Sequence, residues 1–235
     1  MKHSIASISL LKLMVLSCSL ASCPLHAEVA YITEDHLVPK NPAIDGAIRP
    51  ILARKLFVTP ADCALVLIRP PEGGEAAVAV YRSRSGNSPD SFSVTVTKAE
   101  KNIDMTANVE SLDAANKIRV ARCDAVIPKT SALAIHAAWD VMLDRAQELR
   151  VYARPTLHRE ELEFSIARDG QTEVFAALPN RGGKSVSALV RLAKQIERYC
   201  HAPPAARTKL ANKLERDAKR LVEEQNPNGA HSQRQ

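Results

Sequence analysis

The sequence predicts an α+β fold: an antiparallel β-meander, then helix, β-hairpin and helix, with a charged C-terminal helix. Three observations carry this. Apolar residues recur in strand-like runs between 64 and 123, they recur with helical spacing over 131–149 and 185–200, and an Asp-Gly pair divides two alternating runs between those helices.

Residues 1–23 read as an export signal. Lys2 and Lys12 make a positive start, and Leu13 to Ala21 is an apolar run too short to span a bilayer. Two cut sites compete on equal terms. Leu20-Ala21-Ser22-Cys23 has the form of a lipoprotein box, in which Cys23 would carry lipid; the rival cut follows Ala27. Residues 24–202 form one globular domain, β-rich over 28–125 and α/β over 126–202. Residues 37–50, with Pro39, Pro42 and Pro50, read as an irregular lead-in.

Ala64 to Ile68 is continuously apolar, as a strand covered on both faces should be. Pro70-Pro71 and Gly73-Gly74 end it. Val78 and Val80 belong to the next strand, and Phe92, Val94 and Val96 alternate with Ser93, Thr95 and Thr97 in the one after. Ile118 and Val120 mark a fourth. From Ser131 to Leu149 the positions Ile135, Trp139, Met142, Ala146 and Leu149 share one helix face, with Thr130 or Ser131 as the expected cap. Asp169-Gly170 is a two-residue hairpin turn, which places Phe164 opposite Phe175 and Leu162 opposite Ala177. Ser185 to Cys200 is the second strong helix. The two helices are expected to cover one face of the sheet. Ala205 to Glu224 is a third helix with a narrow apolar stripe (Leu210, Leu214, Ala218, Leu221), and the residues after Gln225 are expected to be disordered.

The chain has 235 residues, 46% of them hydrophobic, 25% charged and 4% aromatic, a balance that excludes collagen, coiled coil and wholesale disorder. Without residues 1–23 it keeps 30 basic and 26 acidic side chains, and three of its net positive charges fall in 203–235. Nucleic-acid binding lacks both a basic face with stacking aromatics and a motif. Beyond a lipid on Cys23 or the basic tail, nothing predicts membrane contact.

In an exported chain the cysteines point to a disulfide. Cys63 and Cys123 border strand-like runs and are the expected pair, which leaves Cys200 as a buried thiol on the helical stripe; the other pairings stay open. No Cys/His spacing fits zinc, and no cofactor is expected.

Gly182-Gly183-Lys184-Ser185 sits between strand and helix, but position 178 is Leu, so the P-loop pattern fails. What survives is an anion site at a helix start, with Arg181, Lys184 and Ser185 as binding residues. His136, Asp140 and Asp144 follow at i, i+4 and i+8 on one helix and are the candidate metal ligands. Glu160, Glu161 and Glu163 offer paired carboxylates for glycan hydrolysis, against the plainer reading of acidic side chains on an edge strand. Trp139 is read as core.

Every catalytic set is thus incomplete. The leading expectation is a periplasmic or outer-membrane-anchored protein that acts by binding another envelope protein, for instance as an inhibitor or immunity-type protein. The alternatives are a small envelope hydrolase or metal-dependent enzyme, and a lipoprotein that tethers membrane to cell wall.

Overall fold

In the computed structural model, residues 35, 37–39, 45–58, 63–83, 91–146, 160–168, 171–177 and 183–226 are described. They form an α+β fold on an antiparallel sheet. The strands, in chain order, are β1 (Val38–Pro39), β2 (Cys63–Arg69), β3 (Ala76–Arg82), β4 (Phe92–Ala99), β5 (Val120–Ile127), β6 (Glu161–Arg168) and β7 (Gln171–Ala177). Across the sheet they run β1-β7-β6-β2-β3-β4-β5.

β2 to β5 are consecutive and antiparallel, which is the predicted meander. The hairpin β6–β7 keeps the predicted register, with Leu162 opposite Ala177 and Phe164 opposite Phe175. Its turn, Asp169-Gly170, lies outside the described residues. The hairpin does not continue the meander past β5. It returns to the other side and pairs β6 with β2, so β6 is an interior strand with neighbours on both sides.

One face of the sheet carries Val66, Val78, Val80, Val94, Val96, Ala125, Ile127, Leu162, Phe164 and Ile166. Against it pack α4 (Lys129–Leu143) and α5 (Lys184–His201), the two helices read from periodicity. Trp139 is 1% exposed and meets Phe164 edge-on at 5.3 Å between ring centres, so it is core as predicted. α6 (Pro204–Gln225) lies over α4 and α5 and buries Ala211, Leu214, Ala218 and Leu221 in the same core. A narrow stripe sufficed because the helix rests on two others. Thr130 and Ser131 do not cap α4. Thr130 Oγ1 donates to Glu215 at 2.8 Å and Ser131 Oγ to the Ala211 carbonyl at 3.3 Å, so both tie α6 down.

The opposite face holds a second, smaller core of Leu65, Leu67, Ala77, Ala79 and Ala99 under three helices that periodicity did not reveal. They are α1 (Ile48–Leu56), α2 (Ile103–Val109) and α3 (Leu112–Lys117). Pro50 stands in the first turn of α1, where a missing N–H costs nothing; the proline-rich lead-in therefore ends in a helix. Gly74 lets the β2–β3 turn approach β4, since a Cβ there would sit 1.9 Å from the Ala99 carbonyl oxygen.

The disulfide is Cys123–Cys200, not the expected Cys63–Cys123. Cys63 is on β2 and Cys123 on β5, three strand spacings apart, or roughly 14 Å, well beyond disulfide reach. They also belong to opposite faces, Cys63 packing with α1 and Cys123 with α5. Cys123 and Cys200 have Cα atoms 6.1 Å apart. The bond staples β5 to α5, and Tyr199 of the same helix turn donates its hydroxyl to the Val126 carbonyl at 2.6 Å. Among the described residues Cys63 is the free thiol; it is buried, and burial pushes its pKa up to about 12.

Candidate functional site

At the start of α5, where an anion site is expected, a carboxylate of the chain itself takes the helix amides. Gly183 is the N-cap and offers no side chain. Asp35 supplies the missing acceptor: its carboxylate takes the Ser185 amide at 2.6 Å, the Val186 amide at 3.0 Å and the Ser185 hydroxyl at 2.7 Å. A carboxylate at this end satisfies orphan amides and opposes the helix dipole. Gln225 at the end of α6 donates to the same hydroxyl. Lys184 is exposed and reaches Glu224 at 3.2 Å, and Arg181 lies outside the described residues. Ser185 and Lys184 therefore serve the fold rather than an external anion. Asp35→Ala is expected to cost about 1–2 kcal/mol, read as a lower urea midpoint with unchanged slope.

The proposed metal ligands do not converge. His136 Nε2 lies 3.0 Å from the Val80 carbonyl and its ring meets Phe92 edge-on, which turns it toward β3. Among the described residues no group of three or more His, Cys, Asp or Glu is placed to hold a metal ion, so His136, Asp140 and Asp144 do not form one.

Two of the three candidate carboxylates, Glu160 and Glu163, are ion-paired. Glu163 is 1% exposed, not an outward residue of an edge strand. Its two oxygens face Arg49 at 2.5 Å and Arg69 at 2.8 Å. Asp45 lies against the same two guanidinium groups, at 2.5 Å from Arg69 and 3.4 Å from Arg49. Burial pulls the Arg69 pKa down, but Glu163 and Asp45 outweigh it and hold it above its ordinary value. Arg49 also stacks on Phe57. Glu160 holds Lys194 at 2.7 Å. Glu163 is thus committed to pinning α1 on the sheet and is not poised as an acid or base. Cys23, the candidate lipid site, lies outside the described residues.

The basic helix is also less available than its sequence suggested. Along α6, Lys219 pairs with Glu215 and Arg220 with Glu224. Deleting 205–235 would strip four core residues, so such a truncation reads stability before it reads tethering.

The least satisfied surface is one the sequence did not flag. Among the described residues five large hydrophobic side chains are exposed, and three fall within eight residues: Met105 at 65%, Val109 at 72% and Leu112 at 43%. Met105 and Val109 are i, i+4 neighbours on α2, and Leu112 opens α3. The helix that presents them is firmly held. The buried Glu75 carboxylate accepts the Ile103 and Asp104 amides at 2.7 and 2.9 Å, and the Asn102 side chain accepts the Met105 amide. Ser111 caps α3 through the Ala114 amide. Charges of both signs flank the patch: Asp113 pairs with Lys117 at 2.7 Å and Asp104 lies 3.8 Å from Arg69. A shallow cleft of about 220 Å³ opens beside it, lined by Glu100, Lys101, Thr106, Glu110, Lys117 and Arg119 among others. The two helix caps, Asn102 and Ser111, were the available sequence signals for α2 and α3.

Compared with protein-family models, curated proteins and solved structures, the chain matches none. No helix among the described residues is long and apolar enough to cross a membrane.

Proposed function

We propose that this protein is exported to the cell envelope and acts there by binding another protein, with Met105, Val109 and Leu112 as the contact surface. The observation that carries the reading is that triplet: large apolar side chains held out in water on capped helices. Clustered exposed apolar groups favour a protein contact, and Met is well suited to adaptable ones. A periplasmic inhibitor or immunity-type role suits a small, rigid, disulfide-bonded scaffold of this kind. The Cys123–Cys200 bond supports export to an oxidising compartment.

Substitution tests the surface directly. Val109→Asp is expected to weaken partner binding by about tenfold or more, as hot-spot losses do. Because Val109 is 72% exposed, the melting temperature should barely move. Capture of the partner from crosslinked envelopes, compared between the wild type and this variant, checks both. Equal capture by the two would remove the surface from the account.

A further inference from the structure

β5 is an edge strand of eight residues, paired among the described residues only with β4. Its side chains on the face away from α5 read Val120, Arg122, Asp124, Val126. Arg122 and Asp124 are about half exposed and Val126 is 71% exposed. The order is antisymmetric about Cys123: valine outside on both sides, a cation on one side of the centre and an anion on the other.

We infer that β5 is a self-complementary docking edge whose partner is a second copy of this chain. An antiparallel pair with Cys123 facing Cys123 of the second copy sets Arg122 opposite Asp124 of that copy, and Asp124 opposite its Arg122. Val120 then meets Val126 of the second copy, and the reverse. On the helix side Ala121 meets Ala125, two small residues. All four pairs repeat under a two-fold axis, as an isologous contact requires. The Arg–Asp pairs also join groups that favour one another across strands.

The edge is fixed in advance. The disulfide holds the strand's centre to α5, and Tyr199 takes one lone pair of the outward Val126 carbonyl, so the Val120 amide of the second copy must use the other. Thr95, itself hydrogen-bonded to Tyr81, donates to Asp124, and Arg122 grips that carboxylate at 2.9 and 3.1 Å. The Arg122 hydrogen bond holds the Asp124 carboxyl below its usual range, against a smaller opposing effect of burial. The strand therefore meets its copy with no net charge to repel it. Edge strands that stay single ordinarily carry unmatched charge or proline, and β5 has neither. Cys123 is already bonded within its own chain, so the contact is non-covalent.

Charge reversal separates this pairing from every within-chain explanation. Arg122→Asp makes the central pair wholly acidic, and Asp124→Arg makes it wholly basic. In each homogeneous variant the cross-copy pairs become repulsive, and the dimer dissociation constant should rise at least tenfold. Mixed in equal amounts, the two variants should form a heterodimer, because acid then faces base at both positions, although each chain keeps its own internal repulsion. The measurement is sedimentation equilibrium on the full chain with its disulfide intact, over concentrations up to several hundred micromolar, with circular dichroism to show that every variant is folded. The double variant Arg122→Asp/Asp124→Arg should associate like the wild type. A wild type that stays monomeric throughout overturns the inference. So does association that these substitutions leave unchanged, or a mixture that behaves as the sum of its parts.

Discussion

Replacing both Cys123 and Cys200 by alanine is expected to remove about 4 kcal/mol of stability. The bond closes a loop of 77 residues, and on the chain-entropy view a crosslink of that span restricts the unfolded chain by an amount of that order. The native state gives a second reason. The bond links the last strand of the meander to the helix that covers it, where β5 has a strand on one side only among the described residues. Cys63→Ala is the control, and it should cost only about 1 kcal/mol, the loss of one small buried group. The two effects would be close to equal if Cys63 were in the bond. Thiol titration gives the same contrast. In the folded protein from residue 24 onward, the Cys63 thiol should resist alkylation, because burial holds its pKa near 12 and keeps it protonated. In guanidinium one thiol per chain should react. Two or three reacting thiols would mean that the bond is absent.

Glu163→Ala is expected to cost about 3–5 kcal/mol, the range for removing one partner from a buried charge pair. Its oxygens are wholly buried between Arg49 and Arg69, so the substitution leaves two guanidinium groups sharing Asp45. Arg69 sits on β2 beside β6, whereas Arg49 comes from α1, so α1 should loosen first. Hydrogen exchange should show faster amides over Ile48–Leu56 while α4 and α5 keep theirs. Glu163→Gln should fall between the wild type and Glu163→Ala, since it keeps hydrogen-bond acceptance and loses charge. Replacing Glu163, Arg49 and Arg69 together by apolar residues of similar size should recover much of the loss, because desolvation of the ions no longer opposes packing. A small effect of Glu163→Ala alone would mean that water reaches this cluster.

These two sites show where the sequence was legible and where it was not. The meander could be read because each strand alternates or is wholly apolar, and the hairpin because Asp-Gly fixes a register that puts Phe164 opposite Phe175. α4 and α5 showed a full stripe over four or more turns. α2 and α3, with seven and six residues, are too short to display a period. Missing them, with α1, hid the second core and the Met105–Leu112 patch. Glu163 was read as lying on an edge strand, whereas β6 pairs with both β2 and β7. The cysteine pairing failed differently. Proximity along the chain to strand-like runs was taken for proximity in space, while a four-stranded meander separates its first and last strands by three spacings. The carboxylate that takes the amides at the start of α5 could not be read from the sequence, because Asp35 lies 150 residues away.

The protein-binding account rests on the α2–α3 patch, and site-specific photo-crosslinking tests it most directly. A photoreactive residue is placed at Val109, and in a second protein at the exposed Arg216 on α6, and both are irradiated in the intact envelope of the native host. The account predicts one dominant adduct with a different protein from position 109, and none of that mass from position 216. The same or no adduct at both positions would contradict it.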